Sequence, residues 1–187
     1  AEENGTDLPY EFQRIDDRDA AVTAIKQRDI YGAYVLPTEQ GKALEILRRD
    51  GVTIFAGVPT MYVALLHQAN QDPQAVEGVD LRAGVSGGSP MPVEVMVKFE
   101  KVFNTTVFEG YGLSETSPVV CFNQPGNERK PGSIGTAVRG AELRVVDGDD
   151  QQVPTNEVGE LVVRGQYVMK GYWNKPEATE GAMRGGW

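Results

Sequence analysis

Cysteine and histidine are both scarce, with one of each among the 187 residues. The single cysteine, Cys121, excludes an internal disulfide and any zinc site built from several cysteines. It follows two valines and no cation flanks it, so we interpret it as a packed thiol rather than a nucleophile. The single histidine, His67, has no legible partner for general base catalysis, and we interpret it as a solvent-exposed residue late in a helix.

Positive charge and long apolar runs are also lacking. The chain has 18 lysine and arginine residues against 27 aspartate and glutamate residues, which gives a net charge of −9. This balance, without basic clusters, argues against binding to nucleic acid or to an anionic membrane surface. No apolar run approaches the ~20 residues of a membrane-spanning helix, and no signal peptide is recognisable. We therefore expect a cytoplasmic protein that binds small molecules and whose oligomeric state the sequence leaves open.

Glycine, by contrast, is abundant: the 22 residues are nearly twice the share expected from an average of ~7%. The role of these glycines depends on where they lie relative to the predicted helices and strands. Apolar residues at helical spacing alternate with short apolar runs bounded by Gly and Pro, which predicts an α/β fold, a partial parallel sheet with flanking helices. The predicted helices are 17–28, 38–51, 59–69 and 92–103, and the predicted strands are 30–36, 52–55, 81–85 and 106–108. Met61, Leu65 and Leu66 are expected to face inward from the third helix, and Val93, Met96, Phe99 and Phe103 from the fourth.

The pattern changes after Pro118. Strands are predicted at Ala141–Val146 and Glu160–Arg164, separated by a turn rich in Gly, Asp and Pro. The parallel sheet is therefore followed by a small β-rich subdomain, which closes with a short helix and a glycine turn. The expected segments are a divergent amino-terminal segment at 1–37, an α/β portion at 38–124 and a β-rich portion at 125–187.

The first of two glycine-bearing turns, Ser86 to Pro90, lies between a predicted strand and a predicted helix. Such turns in α/β sheets offer backbone N–H groups and a helix N-terminus to a ligand. Gly87 and Gly88 lack a Cβ and so permit a flat ligand to approach the main chain closely, with Ser89 beside them. A purely structural turn explains the same residues equally well.

The second turn, Glu109 to Pro118, follows the next strand and is richer in polar groups. Tyr111 offers a face for a planar base. Ser114 or Thr116 offers a hydroxyl to a phosphate oxygen, and Glu115 offers a carboxylate to Mg²⁺ beside it. The alternative is a loop whose tyrosine packs on the sheet edge and whose hydroxyls cap a turn.

A series of short motifs from about residue 40 to residue 187 occurs in an order known from one enzyme superfamily. The central motif is Tyr111-Gly112-Leu113-Ser114-Glu115. The others are Val58-Pro59-Thr60, Gly87-Gly88-Ser89-Pro90, Pro131-Gly132-Ser133-Ile134-Gly135, Gly159-Glu160-Leu161, Gly165 and Gly171-Tyr172. The series resembles the AMP-forming acyl-CoA synthetases of the adenylate-forming superfamily, and the long-chain fatty-acid ligases more than the adenylation domains of peptide synthetases.

The resemblance implies a fragment of an acid–thiol ligase with ATP, Mg²⁺ and coenzyme A as cofactors and co-substrates. In that family a carboxylate attacks the α-phosphorus of Mg·ATP to give an acyl-adenylate and pyrophosphate, and coenzyme A then displaces AMP. Ser114, where the family more often has threonine, is implied to contact phosphate, and Glu115 to bind Mg²⁺; both are the expected catalytic residues. The residues implied to line the nucleotide pocket are Gly87, Gly88, Ser89, Tyr111 and Gly112, the last beside the acyl chain.

Three parts of the family pattern are not found in this sequence. They are a Gly/Ser/Thr-rich phosphate loop expected upstream of Val58, a ribose-binding Asp expected soon after Trp187, and a small domain with the adenylation lysine. We therefore expect that this chain alone has no adenylating activity, which an assay of ATP–pyrophosphate exchange with fatty acids tests.

Residues 1–37 do not share the resemblance. The stretch 17–37 is faintly similar to the extracytoplasmic segment of YhgE/Pip-like bacterial membrane proteins, so a chimera of two unrelated segments is an open hypothesis. The alternative to an enzyme fragment is a non-catalytic, recombined α/β folding unit with a vestigial nucleotide pocket. Mg²⁺-sensitive binding of AMP that Tyr111→Ala removes would separate these two interpretations.

Two further features have structural interpretations. Asp147, Asp149 and Asp150 lack the alternating ligands and the closing Glu of a calcium loop, so we expect a solvated turn. Tyr172 and Trp173 are aromatic neighbours, and we expect them to pack between the β-rich portion and the sheet.

Overall fold

The computed structural model describes residues 42–187. The helix predicted at 17–28, the strand predicted at 30–36 and the first residues of the helix predicted at 38–51 lie outside the described residues. Among residues 42–187 no helix combines the length and the apolar content needed to cross a bilayer.

The described chain has the mixed helix and strand content that the sequence predicts. The helices are α1 (Ala43–Arg49), α2 (Pro59–Gln71), α3 (Val93–Phe103) and α4 (Pro176–Ala182). The strands are β1 (Ile54–Gly57), β2 (Ala83–Ser86), β3 (Val107–Gly112), β4 (Val119–Phe122), β5 (Thr136–Ala137), β6 (Ala141–Val146) and β7 (Glu160–Gly165). Short 3₁₀ helices span Pro73–Val76, Ser114–Thr116 and Arg184–Gly186.

A five-stranded sheet has the order β1-β2-β3-β4-β5. Its first three strands are parallel, because α2 and α3 cross from the end of one strand to the start of the next. The prediction of a parallel sheet is confirmed for these strands. It is incomplete beyond them, since β4 and β5 extend the sheet in the antiparallel sense. Neither β4 nor β5 was predicted, because their four and two residues are too few to establish a period.

Aromatic side chains of the helical layer form the centre of the core. The ring centroid of Phe99 lies 4.7 Å from that of Tyr62 and 4.4 Å from that of Phe103. Tyr62 also meets Phe55 of β1 edge to face at 5.1 Å. The remaining buried apolar residues of this core are Leu44, Leu47, Leu65, Leu66, Ala69, Leu81, Met91, Met96 and Val107.

The predicted inward orientation is wrong for two residues. Met61 is 38% exposed and Val93 is 46% exposed. In α2 the residue that faces the sheet is Tyr62, one position later and therefore about 100° further around the helix. Val93 is the first residue of α3 and lies at the end of its apolar face, one turn before the buried Met96.

The β-rich portion contains the second sheet, a two-stranded antiparallel pair of β6 and β7. Both strands lie where the alternating pattern predicts them, and the closing short helix is present as α4. Little of this portion is buried, and Val146 is its one buried hydrophobic residue among those described. The guanidinium carbons of Arg144 and Arg164 lie 4.1 and 4.4 Å from the centroid of the Trp187 ring.

Candidate functional site

The carboxyl ends of β1, β2 and β3 lie side by side, with Gly57 opposite Ser86 and Ser86 opposite Glu109. Because the strands are parallel, the chain leaves each of them at the same edge of the sheet. This is the edge where open α/β sheets bind their ligands.

The first glycine-bearing turn lies against β3 at this edge. The Gly87 N–H donates to the carbonyl of Gly57 at 3.4 Å. A Cβ on Gly87 would lie 3.4 Å from the carbonyl oxygen of Gly110, so the first turn lies beside the main chain of β3. Gly88 has a φ of +81°, a conformation that favours glycine, and it is exposed together with Ser89. Gly88 thus exposes main chain, and a Cβ at this position would lie 3.4 Å from Val58 Cγ1.

Tyr111 and Gly112 belong to strand β3 and not to a loop, which corrects the extent of the predicted turn. Tyr111 pairs with Cys121 of β4 and is half-buried, and the pairing register shifts between Tyr111 and Gly112. A Cβ on Gly112 would lie 1.6 Å from the carbonyl oxygen of Pro118, so no other residue fits there without a shift of the backbone. Gly112 thus has a structural requirement that is independent of any ligand.

The hydroxyl of Thr116 is used within the protein, so this residue is not the phosphate contact that the sequence left open. It accepts a hydrogen bond from the Leu113 N–H at 3.0 Å and lies 2.8 Å from the carbonyl oxygen of Pro118. Thr116 is also buried, whereas Ser114, at the start of the same 3₁₀ helix, is exposed. The exposed hydroxyls of this turn are those of Ser114 and Ser117, and Ser114 is the one beside Glu115.

Glu115 points toward the segment that follows β7. Its Oε1 accepts a 2.6 Å hydrogen bond from the Tyr172 hydroxyl, and its carbonyl oxygen accepts a 2.7 Å bond from the Met169 N–H. The hydrogen bond from Tyr172 lowers the pKa of the Glu115 carboxyl and raises the pKa of the Tyr172 phenol. Glu115 is therefore held as a carboxylate at neutral pH.

The site residues fall into two places. Gly87, Gly88, Ser89 and Tyr111 lie along the strand edge, whereas Glu115 lines a cavity of about 270 Å³ between the 3₁₀ helix, the β6–β7 sheet and α4. The cavity wall also includes Leu113, Met169, Tyr172, Arg184 and Trp187. None of the four strand-edge residues lines this cavity. The turn from Gly112 to Glu115 joins the two places.

Sequence reasoning missed the role of Glu109, which anchors the Pro131–Gly135 motif beneath the turn. The buried Glu109 carboxylate accepts a 2.9 Å hydrogen bond from the Gly132 N–H. Asn123 completes the link, because its side-chain amide donates to the carbonyls of both Glu109 and Ser133, at 3.2 and 2.6 Å. No signal for this role was visible in the sequence, because Glu109 fell in a predicted turn and its partner lies 23 residues away.

Ser86, the last residue of β2, was noted only as the start of the first turn. It is 1% exposed, and its hydroxyl has no hydrogen-bond partner within the described part of the chain. A buried polar atom without a partner is uncommon in native proteins. The end of β2 therefore holds a buried hydroxyl group that the described residues leave without a hydrogen bond.

The structural interpretations of His67 and Cys121 are confirmed. His67 is exposed in the second half of α2, and Cys121 is buried, which raises the pKa of its thiol. Asp147 Oδ1 accepts hydrogen bonds from the N–H groups of Asp149 and Gln151, both at 2.9 Å, as expected of a solvated turn. The expected packing of Trp173 is wrong, because this side chain is 88% exposed.

The oxygen atoms of Ser114 and Glu115 are ligands of the type that Mg²⁺ prefers. Mg²⁺ commonly keeps several waters and binds through one or two carboxylates and the phosphates of a substrate. Glu115 supplies a carboxylate and Ser114 a hydroxyl at one turn. Within residues 42–187, no group of three or more His, Cys, Asp and Glu side chains is arranged to hold a metal.

Comparison with known proteins identifies a family and several relatives. Residues 31–173 match the family described as AMP-binding enzyme. The chain is 40% identical over 147 residues to a long-chain-fatty-acid–CoA ligase of Bacillus subtilis, covering 78% of this chain and 26% of that protein. It is 37% identical over 153 residues to 4-coumarate–CoA ligase 5 of Oryza sativa, covering 78% of this chain and 28% of that protein.

Solved structures share the fold. A benzoate CoA ligase from Burkholderia xenovorans aligns with a TM-score of 0.73 at 28% identity, over 81% of this chain and 30% of that one. An anthranilate CoA ligase in complex with anthranoyl-AMP aligns with a TM-score of 0.69 at 28% identity, over 82% of this chain and 30% of that one. The fold is thus a fragment of the adenylate-forming fold, and the chain spans about a quarter to a third of the length of these relatives.

The matched range overlaps the predicted divergent segment at 1–37. It begins at residue 31, so residues 31–37, which the sequence analysis assigned to the divergent segment, fall within the family match. Residues 1–30 lie outside it.

Proposed function

Because this chain belongs to the family of AMP-binding enzymes, we propose that residues 42–187 form part of the nucleotide-binding region of an acyl-CoA ligase. Such a ligase activates a carboxylic acid with ATP and transfers the acyl group to coenzyme A. The acid proposed is a long-chain fatty acid, which the names of several curated relatives support. The observation that carries the proposal is that the first glycine-bearing turn lies against β3, the strand that carries Tyr111, at the carboxyl edge of β1, β2 and β3.

The strand edge suits a planar base. The first turn presents main chain at Gly87 and Gly88, so a flat ring can approach without meeting a Cβ. Tyr111, half-buried at the end of β3, offers an aromatic face to that ring. In this proposal the adenine lies against the first turn with Ser89 at its border, and Tyr111 covers its exposed face.

The turn after β3 suits the phosphate end of the nucleotide. Ser114 is exposed and offers a hydroxyl to a phosphate oxygen, and Glu115 offers a carboxylate to Mg²⁺. When bound, Mg²⁺ neutralises charge on the phosphate oxygens, which is the main electrostatic need of nucleotidyl and phosphoryl transfer. Gly112 connects the base and phosphate ends of the site and lies where the acyl chain would pass.

The proposal is tested by calorimetric titration of AMP, with and without Mg²⁺, into the 187-residue chain. We expect measurable binding that Tyr111→Ala weakens about tenfold or more, since stacking of a base on an aromatic ring is commonly worth ~1–3 kcal/mol. Tyr111→Phe keeps the ring and is the matched control, with nearly unchanged affinity expected.

The rival interpretation is a non-catalytic α/β folding unit with a vestigial pocket. It predicts no binding of AMP by the folded wild-type chain, or binding that Tyr111→Ala leaves unaltered. Thermal unfolding of each variant separates loss of the site from loss of the fold.

A further inference from the structure

Tyr172 contacts Glu115 although 57 residues separate them in the sequence. Glu115 lies in the 3₁₀ helix after β3, and Tyr172 lies between β7 and α4. Tertiary structure alone brings the phenol to 2.6 Å from Glu115 Oε1. The contact is made to the carboxylate that the proposed function assigns to Mg²⁺, so the inference below rests on that proposal.

The main chain on both sides of this contact is fixed. The Met169 N–H donates to the carbonyl oxygen of Glu115 at 2.7 Å, which ties the two segments together beside the side-chain bond. The Tyr172 N–H donates to Thr179 Oγ1 at 2.9 Å, and the Thr179 hydroxyl in turn donates to the Lys175 carbonyl at 2.9 Å. Tyr172 is therefore anchored to α4 independently of its hydroxyl.

The glycine before Tyr172 reinforces this anchor. Gly171 has a φ of +147°, and a Cβ at this position would lie 2.7 Å from Thr179 Cγ2. Only glycine permits the chain to pass so close to α4 at this point. The direction in which the Tyr172 ring leaves the backbone is thus set by the fold.

The hydrogen bond engages one oxygen of the carboxylate and leaves the other available. A carboxylate on an unrestrained side chain samples several rotamers, and metal binding must then overcome that entropy. Groups that hydrogen-bond a metal ligand commonly orient it and contribute to the affinity for the metal. With Oε1 held by Tyr172, Glu115 presents Oε2.

We propose that Tyr172 is a positioning residue for Glu115, whose hydroxyl holds Oε1 so that Oε2 is presented to Mg²⁺ bound with the nucleotide. Tyr172 touches neither metal nor substrate in this arrangement. Its removal is expected to alter the dependence on Mg²⁺ and to leave binding of the nucleotide without metal unchanged.

The first measurement is the Mg²⁺ concentration that gives half-maximal ATP binding to the chain, for wild type and for Tyr172→Phe. We expect this Mg²⁺ concentration to rise about five- to tenfold in the variant. Loss of a hydrogen-bond partner of a metal ligand commonly has an effect of this size or larger, and a small effect is expected here because the site is open to solvent. ATP binding in the absence of Mg²⁺ is expected to be unchanged. An unchanged Mg²⁺ requirement overturns the inference. A lower Mg²⁺ requirement also overturns it, since the phenol would then compete with the metal for Glu115.

The matched control is Tyr167→Phe, which also removes one hydrogen-bonded phenol. The Tyr167 hydroxyl donates to the Arg139 carbonyl and not to Glu115. We expect no change in the Mg²⁺ requirement for this variant. An equal rise in both variants would indicate a general effect of losing a tyrosine hydroxyl and would also overturn the inference.

A second measurement separates this inference from the proposed function. Mg²⁺ alone is titrated into the chain while the ¹³C resonance of the Glu115 side-chain carboxylate is followed by NMR. If the wild type binds no nucleotide, the proposed function fails, yet this titration still compares wild type with Tyr172→Phe. The inference requires a response of Glu115 that shifts to higher Mg²⁺ in the variant, and it is wrong if Glu115 does not respond.

Discussion

The α/β portion at 42–124 and the β-rich portion at 125–187 are stabilised by different interactions. In the first, Tyr62, Phe99 and Phe103 form a closely packed aromatic core from which water is excluded. In the second, one buried hydrophobic residue is accompanied by exposed ion pairs, among them Arg164 with Glu142 and Arg184 with Asp150. Burial of apolar area contributes far more to stability than exposed ion pairs do. The first portion therefore supplies most of the stability of the fold, and the second portion depends on its contacts with the first.

Those contacts are polar and specific. Arg129, from the β-rich portion, forms a two-point ion pair with Glu100 of α3 and donates to the carbonyl oxygen of Val107 at 2.9 Å. The Glu109 carboxylate holds Gly132, and Met169 and Tyr172 hold Glu115. The comparison teaches that the candidate site lies where a rigid sheet edge meets a portion attached mainly by hydrogen bonds.

The largest expected effect is on the aromatic core. Phe99→Ala removes a fully buried ring, so we expect the free energy of unfolding to fall by about 3–5 kcal/mol. Urea denaturation followed by circular dichroism measures it. Val97→Ala, on the exposed face of the same helix at 53% exposure, is the control and is expected to change stability by less than about 0.5 kcal/mol. Similar losses in both variants would contradict the assignment of the core to this helix face.

An intermediate effect is expected at the link between the portions. Among residues 42–187, Arg129→Met leaves the Glu100 carboxylate with the Val107 N–H as its one hydrogen-bond partner. The side chains of Arg129 and Glu100 are 23% and 18% exposed. We expect a loss of about 1–3 kcal/mol in the same denaturation experiment, because both groups are largely but not fully shielded from water.

Arg139→Met is the control for this link, since Arg139 is exposed and its side chain makes no ion pair within the described residues. A change within about 0.5 kcal/mol is expected there. If Arg129→Met were as mild as the control, the ion pair would not be what attaches the β-rich portion.

The smallest effect is expected at the exposed pair of β6 and β7. The hydrogen bond from Arg164 lowers the pKa of the Glu142 carboxyl, so its stabilisation is present above the pKa of the unfolded chain and is lost as the pH falls through the folded pKa. We expect Glu142→Gln to shift the urea midpoint slightly at about pH 7 and by progressively less as the pH falls below about 4, where the carboxyl of the unfolded chain becomes protonated. Glu157→Gln is the control, and a shift that persists in acid would contradict a charge-dependent cause.

Much of the α/β portion was predictable from local pattern. The spacing of Met96, Phe99 and Phe103 indicated the buried face of α3, and the alternation of strands and helices indicated the parallel sheet. The pattern failed where packing decides between adjacent positions, as at Met61 and Tyr62, and where strands are too short to show a period, as at β4 and β5.

The candidate site was predictable only in part. Its glycines and polar residues were visible as two turns, because the residue types themselves limit what the backbone and a ligand can do at each turn. Thr116 and Ser114 were equivalent in the sequence, and only burial and the carbonyl of Pro118 distinguish them. Glu109 and Tyr172 gave no signal, because their partners lie 23 and 57 residues away.

The sequence by itself therefore determined the family, the alternation of helices and strands, and the positions of the glycines in the first turn. These follow from residue type and periodicity, which act over a few neighbours in the chain. The tertiary structure decided that Gly87 lies against Gly110, that Gly112 admits no side chain, and that Tyr172 holds Glu115. These contacts join segments that are far apart in the sequence. They exist only in the folded protein, where the sheet edge and the β-rich portion are both in place.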